Sequence, residues 1–305
     1  MNRLLVFAPA LFLLACSSPQ PTEKETVEKT QAPAALVFPH LPEKMTFAGE
    51  EIVLTDEDVI ERLDREVLMN AYYNSATTGY FKRAHRWFPT IERILKEEGL
   101  PEDFKYLAVI ESGLVQAISP VGAQGFWQFM PGTAKNYDLE MSTEVDERLH
   151  IEKSTRAACQ YLKGSYDSLN DWIWATASYN RGVGGVQQDM AWQGTDHYFD
   201  TDQNNETGRY FFRLLAIKLI FEHPEDYGYY PDKMQLYEPF KTKSVVVSES
   251  IPNIAAWAME QGYNFKIVQK LNPWIKSNKL TIKNKQYTIL LPAKDENLKP
   301  YKEYL

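Results

Sequence analysis

The spacing of apolar residues between about residue 54 and residue 221 is the feature that most constrains the fold. Val59, Leu63 and Val67, for example, follow one another at intervals of four, which places their side chains on one face of an α-helix. No alternation of apolar and polar residues long enough for a strand occurs in this region. The pattern therefore predicts a mainly α-helical domain. Its helices are expected from residue 55 onward, through residues 91–95 as far as Gly99, and over residues 101–111, 131–138, 154–168, 171–181 and 207–222.

Residues typical of helix ends mark several of these boundaries. Thr55 stands in a capping-box pattern, and Asp171 and Thr207 are suited to cap two later helices. Pro101 suits the first position of a helix, and Gly182 suits the end of one. These signals set the expected limits of the helices.

The pattern changes after about residue 236. Two short runs rich in β-branched and aromatic residues indicate strands, and two short helical stretches lie between them. The order predicts a small strand–helix–helix–strand unit, with strands at 245–247 and 287–291 and helices at 254–261 and 265–271. The expected fold class is thus mainly α, with a small α+β domain at the C-terminal end.

The first residues have the pattern of a bacterial export signal. Arg3 precedes an apolar run over 4–14, which is shorter than the roughly 20 apolar residues that a membrane-spanning helix needs. The run ends in Leu-Leu-Ala followed by Cys16, which resembles the lipobox of bacterial lipoproteins, in which this cysteine is lipidated. A plain signal peptide with an incidental cysteine is the alternative. Ser17 after the cysteine resembles an outer-membrane sorting signal, so we expect a lipid-anchored protein of the cell envelope, at the outer membrane and facing the periplasm.

The predicted organisation has four parts. Residues 17–35 are rich in Ser, Pro, Thr, Glu and Lys and bury too little apolar surface to fold, so we expect ordered structure to begin near residue 50. The parts are a signal peptide (1–15), a lipidated cysteine with a flexible tether (16–50), a helical domain (51–235) and the C-terminal domain (236–305).

Composition narrows the possible partners. The formal net charge is −8, which argues against nucleic acid, because phosphate binding requires an excess of Lys and Arg. If Cys16 carries lipid, Cys159 is left without a disulfide partner and is expected to be a small buried side chain. Five scattered histidines and no cysteine pairs predict no metal site, and no cofactor is expected.

Glu111 is the candidate catalytic residue. It ends the predicted helix 101–111, which is apolar nearly all round and therefore buried. Burial and the helix C-terminus both disfavour the carboxylate and raise its pKa, as a general acid requires near neutral pH. By position alone, however, a structural glutamate is the more common case.

Two further blocks carry unusual residue patterns. Residues 119–133 contain three Gly and two Pro within a short stretch, which predicts a shaped loop. Amide and aromatic side chains interleave in it, a mixture suited to sugar rings. Residues 177–186 place a Tyr-Asn pair at a helix end, before what we expect to be a Gly-rich turn.

Together these blocks resemble the catalytic domain of lytic transglycosylases, the goose-lysozyme-like glycoside hydrolase family 23, and are similar to its membrane-bound D group. Glu111-Ser112 matches the family's ES motif, and residues 122–133 (GAQGFWQFMPGT) match GxxGxxQxMPxT. Residues 178–180 (SYN) resemble the AYN motif, and residues 205–210 resemble ETRxYV with two changes. The resemblance implies a lysozyme-like all-helical catalytic domain.

The resemblance also implies roles for individual residues. Glu111 would be the catalytic acid and base. Substrate contacts would come from six residues: Ser119 and Gln128 at the N-acetyl group or hydroxyls, Met130 along the cleft, Tyr179 at Glu111 or the acetamido group, Asn180 at the substrate, and Glu206 on the far side.

The implied reaction is cleavage of the bond between N-acetylmuramic acid and N-acetylglucosamine in peptidoglycan glycan strands, with a 1,6-anhydro product. A hydrolytic muramidase on the same scaffold and a non-catalytic peptidoglycan-binding lipoprotein are the alternatives. The C-terminal unit resembles a divergent LysM module, which implies binding of N-acetylglucosamine polymers; a packing domain is the alternative.

Overall fold

A computed structural model describes residues 38–203, 205–296 and 298. The expected signal peptide at 1–15, Cys16 and most of the expected tether lie outside the described residues. The elements run in the order β1 (Lys44–Phe47), β2 (Glu50–Val53), α1 (Glu57–Tyr72), α2 (Asn74–Glu98), α3 (Lys105–Ser112), α4 (Pro131–Asn136), α5 (Ile151–Leu169), α6 (Trp172–Arg181), α7 (Val183–Gln193), α8 (Asn205–Glu222), β3 (Thr242–Val247), α9 (Ile254–Glu260), α10 (Phe265–Leu271) and β4 (Tyr287–Pro292). The mainly α fold class with a small α+β C-terminal unit is confirmed.

The start of ordered structure was predicted too late. Strands β1 and β2 form an antiparallel hairpin whose register pairs Met45 with Ile52. Phe47 is fully buried and meets Phe104 and Phe211 edge-on. The two strands have only four residues each, which is too short a pattern to be recognised in the sequence. The hairpin is stabilised by its packing onto the helices.

The helical core surrounds α3 and α8. Four residues of α3 are buried, as its apolar sequence predicts, and Leu107 and Ala108 have no exposed surface. Cys159 is also fully buried. No helix within residues 38–203 and 205–296 is long and apolar enough to cross a membrane.

Several predicted helix boundaries are wrong, by one residue at the start of α1, by four at the start of α3 and by more at the start of α2, which begins at Asn74. Asp56, not Thr55, caps α1, and its carboxylate accepts the N–H of Val59 at 3.0 Å. Pro101 precedes a 3₁₀ turn at Glu102–Phe104 rather than opening α3. Thr207 lies inside α8, where its hydroxyl donates to the Asn180 side chain instead of capping the helix.

Helix α7 was not predicted. The glycines after Gly182 were expected to form a turn, yet α7 begins at Val183 and includes Gly184 and Gly185. The fully buried Val186 holds this helix against the core, so tertiary packing overrides the poor helix propensity of glycine.

The C-terminal unit has the predicted strand–helix–helix–strand order. Strands β3 and β4 are antiparallel, with Val245 opposite Ile289. Its small core includes the fully buried Val268, Ile289 and Leu291. The same cluster contains Val145, a residue of the helical domain. The two parts therefore share a core.

Candidate active site

Glu111 lies one residue before the end of α3. Gly113 ends the helix in the left-handed conformation and its N–H bonds back to Val109. The side chain of Glu111 keeps limited solvent contact among buried helices. Burial raises the pKa of its carboxyl to about 7, although the hydroxyl of Tyr210 and the charge of Arg213 act in the opposite direction. The raised pKa predicted from the sequence is therefore confirmed.

Ser112 joins the end of α3 to the loop that follows. Its hydroxyl donates to the carbonyls of Ala108 and Phe126, at 3.1 and 2.9 Å, and accepts the N–H of Leu114. This hydroxyl fixes the loop to the helix end that carries Glu111. The sequence motif includes Ser112, but the pattern alone does not indicate this task.

The motif loop, residues 119–130, is compact and held by its own backbone. Ser119 accepts the N–H of Ala123 through its hydroxyl at 2.9 Å. Gln128 adopts a positive φ of 47° and donates its amide to the carbonyls of Ala117 and Gly125, at 3.2 and 2.7 Å. Its amide nitrogen therefore joins the loop to itself at Gly125 and to the preceding segment at Ala117.

Apolar side chains border this loop on the solvent side. The exposed fraction of Met130 is 41%, and those of Ile118 and Val121 are 67% and 73%. Exposed apolar surface beside buried polar groups suits the faces of sugar rings. A separate cavity of about 500 Å³, between α2, the start of α5 and the C-terminal unit, does not include Glu111 among its lining residues.

Tyr179 on α6 supports the motif loop. Its hydroxyl donates to the carbonyl of Trp127 at 2.9 Å, and its ring lies edge-on to Phe129 and Tyr161. Burial raises its pKa well above the ordinary value, and the nearby charge of Glu111 adds to this. Tyr179 thus lies close to Glu111, but its hydroxyl donates its hydrogen bond to the motif loop and not to Glu111.

Tyr210 on α8 is the residue that donates a hydrogen bond to the Glu111 carboxyl. Arg213, one turn later, donates to the carbonyl of Ile110 at 2.9 Å and brings a positive charge near the acid. Neither was among the predicted site residues. The available signal was the motif resemblance at 205–210, which ends on this tyrosine.

Asn180 and Glu206 meet across the site. The amide of Asn180 donates to the Glu206 carboxylate at 3.3 Å, and its oxygen accepts the hydroxyl of Thr207 at 3.0 Å. Glu206 is exposed, and its charge contributes to the raised pKa of Glu111. The structure therefore brings Glu111, Tyr179, Asn180 and Glu206 into one neighbourhood, beside the motif loop.

Comparison with known families matches both parts of the chain. The transglycosylase SLT domain matches residues 88–201, and the soluble lytic transglycosylase C-terminal LysM-like domain matches residues 243–295. The chain carries an SLT domain and a LysM-like domain. The SLT domain begins within α2 and contains Glu111, the motif loop, Tyr179 and Asn180; Tyr210 and Glu206 lie beyond its matched end.

Curated relatives of this chain include lytic murein transglycosylases. The membrane-bound lytic murein transglycosylase D of Escherichia coli (strain K12) is 26% identical over 258 residues, which cover 81% of this chain and 55% of that protein. The soluble lytic murein transglycosylase of Salmonella typhimurium is 31% identical over 118 residues, 34% of this chain and 18% of that protein. The chain thus spans about half the length of the first relative.

Solved structures similar to part of the chain include two lytic transglycosylases. The lytic transglycosylase Slt of Pseudomonas aeruginosa has a TM-score of 0.36 at 24% identity, and covers 46% of this chain and 24% of that one. The 70 kDa soluble lytic transglycosylase of Escherichia coli has a TM-score of 0.37 at 23% identity, and covers 49% of this chain and 26% of that one.

Proposed function

We propose that this protein cleaves the glycan strands of peptidoglycan as a lytic transglycosylase, with Glu111 as its acid and base. The observation that carries the proposal is the environment of Glu111. Its carboxyl is buried with a pKa of about 7, receives the Tyr210 hydroxyl and lies at the end of the helix that Ser112 ties to the motif loop. A carboxyl that is half protonated near neutral pH can both give and take a proton.

The reaction that we propose has two proton transfers, both by Glu111. Protonated Glu111 donates to the glycosidic oxygen between N-acetylmuramic acid and N-acetylglucosamine, and that bond breaks at C1 of the muramic sugar. Ionised Glu111 then takes the proton of the sugar's own C6 hydroxyl, whose oxygen bonds to C1 and closes a 1,6-anhydro ring. The acetamido oxygen of the muramic sugar stabilises the cation between these steps, so a second carboxylate is not required.

The substrate contacts are assigned to the side chains around Glu111. The oxygen of Gln128 and the hydroxyl of Ser119 meet polar groups of the sugar, while Met130 offers an apolar face. Tyr179 supports Glu111 or the acetamido group of the substrate, Asn180 contacts the substrate, and Glu206, bound by Asn180 at 3.3 Å, contacts a sugar from the far side. Intramolecular attack by the C6 hydroxyl has an entropic advantage over attack by water.

We further propose that Cys16 is lipidated and holds the enzyme at the outer membrane, facing the periplasm, and that the LysM-like domain contributes to binding the glycan. Mass spectrometry of the N-terminal peptide tests the first point, and an unmodified Cys16 in the mature chain would contradict it. Binding of the full chain to insoluble peptidoglycan, compared between the wild type and variants in residues 243–295, tests the second.

The experiment for the reaction combines Glu111→Gln with product analysis. We expect Glu111→Gln to lose at least about 1,000-fold in activity, because it removes the only proton donor in the scheme, while its far-UV CD spectrum stays that of the wild type. Mass spectrometry of the wild-type products should show anhydro ends. Reducing ends would identify a hydrolase on the same scaffold, and wild-type activity in Glu111→Gln would remove Glu111 from the mechanism.

A further inference from the structure

The segment between α4 and α5, residues 140–150, faces the C-terminal unit on one side. Val145 is buried in the core of that unit and pairs with Ile275 in an antiparallel bridge. The N–H of Asp146 donates to the carbonyl of Trp274 at 2.9 Å, and the N–H of Lys276 donates to the carbonyl of Glu144 at 2.8 Å. We call residues 140–150 the bridging segment.

Side chains of the bridging segment strengthen this contact. The Glu144 carboxylate accepts the N–H of Thr281 at 2.7 Å and its hydroxyl at 3.1 Å. Glu140 accepts the hydroxyl of Tyr287 at 2.9 Å and the ammonium of Lys285 at 2.7 Å. The C-terminal unit is therefore held to the bridging segment by backbone bonds, a shared core and two carboxylates.

The other side of the bridging segment carries a buried ion pair. Arg148 and Asp146 are 7% and 2% exposed, and the guanidinium contacts both carboxylate oxygens, at 3.0 and 2.8 Å. A two-point pair of this kind fixes the plane of the guanidinium as well as its position. Asp146 therefore decides where the remaining donors of Arg148 point.

All of those remaining contacts lie on the motif loop. Arg148 donates to the carbonyls of Gly122 and Phe129, at 2.8 and 3.0 Å, and to the side-chain oxygen of Gln124 at 2.7 Å. These three points lie near both ends and in the middle of the loop that carries Ser119, Gln128 and Met130. The buried side chain of Arg148 thus links the motif loop to Asp146, whose backbone is bonded to the C-terminal unit.

We propose that the LysM-like unit is a working part of the active site: by holding Asp146, it orients Arg148, which acts as a positioning residue for the motif loop. The expected effect on kcat rests on the proposed function, whereas the expected effect on hydrogen exchange in the motif loop does not. If the C-terminal unit only captured glycan, loosening it would lower the affinity for substrate. If it positions the motif loop, loosening it lowers the turnover number.

Glu144→Ala in the full chain tests the coupling without touching the loop. It removes the two bonds to Thr281 and the ion pair with Lys279 at 3.1 Å, and it leaves Asp146 and Arg148 in place. We expect kcat on soluble glycan strands to fall roughly tenfold, with KM within about twofold of the wild type. Amide hydrogen exchange should accelerate at Gln124 and Gly125, whose N–H groups bond within this part of the chain. The exposed Glu61→Ala on α1 is the matched control and should leave both readouts unchanged.

Arg148→Lys provides the second variant. Lysine keeps the charge beside Asp146 but cannot reproduce the planar fork, so we expect kcat to fall roughly a hundredfold and loop exchange to accelerate, with exchange in the C-terminal unit unchanged. The proposal is overturned if Glu144→Ala accelerates exchange at Thr281 while exchange at Gln124 and Gly125 stays at the wild-type rate. If the wild type cleaves no glycan, the proposed function fails, and the exchange measurements still decide the coupling.

Discussion

Glu111 and Tyr210 stand 99 residues apart in the sequence and share a hydrogen bond in the fold. Burial makes the Glu111 carboxyl difficult to ionise, while the Tyr210 hydroxyl stabilises the ionised form. Burial outweighs the Tyr210 hydroxyl and the charge of Arg213, Glu206 adds to the effect of burial, and the resulting pKa is about 7, where the same group can act as acid and then as base. Tyr210 therefore adjusts the acid as well as orienting it.

Tyr210→Phe should shift the pH dependence of activity upward. Without the hydroxyl the Glu111 carboxylate loses a donor, so its pKa rises further and the protonated form persists to higher pH. We expect the alkaline limb of the kcat profile to move to higher pH, with a roughly tenfold lower maximum for loss of one oriented hydrogen bond to a charged group. Tyr161→Phe, whose hydroxyl donates to the Ser178 carbonyl, is the control. A limb that stays in place would show that Tyr210 does not act on Glu111.

At the scale of elements, the motif loop and the bridging segment fit closely. Gly125 has a φ of +84°, and a Cβ built on it would lie 2.1 Å from the carbonyl oxygen of Arg148. A contact with backbone cannot be relieved by rotating a side chain. Glycine at this position therefore permits both the conformation of the loop and its approach to Arg148.

Gly125→Ala should destabilise the protein by about 3 kcal/mol, the sum of backbone strain and this overlap. Gly122→Ala is a matched control in the same loop: its φ is +90°, but a Cβ there meets no heavy atom within 4 Å. Only strain applies, so we expect about 1–2 kcal/mol. Urea unfolding of both variants measures the difference, and equal losses would argue against the close approach.

At the scale of the whole molecule, the helical domain and the C-terminal unit share a hydrophobic core through Val145. Trp274 of the C-terminal unit also stacks on His150, at a centroid distance of 5.8 Å. Parts that share buried residues lose contacts together when one of them opens. The two parts should therefore unfold as one cooperative unit.

Ile289→Ala tests this cooperativity. Ile289 is fully buried in the core of the C-terminal unit, and we expect a loss of about 2–5 kcal/mol for its truncation. Amide hydrogen exchange should show the loss in α5 as well as in β4. Val246→Ala, at a position 61% exposed on the paired strand, should have little effect on either. Unchanged protection in α5 would mean that the units unfold independently.

Local sequence was sufficient for the helical class, for most helices and for the buried acid, because periodicity and composition act within a few turns of chain. Glu111 could be singled out since its own helix is apolar nearly all round, and burial is what raises its pKa. The strand–helix–helix–strand order near the C-terminus followed from the same kind of local pattern.

Only the tertiary structure revealed the elements and hydrogen bonds that depend on residues far away in the sequence. The hairpin at Lys44–Phe47 and Glu50–Val53 and the glycine-containing α7 exist because the core holds them. The Tyr210 bond to Glu111 and the contacts of Arg148 with the motif loop join residues far apart in sequence. Hydrogen bonds of this kind form only after the helices have packed, so no local pattern carries their pairing.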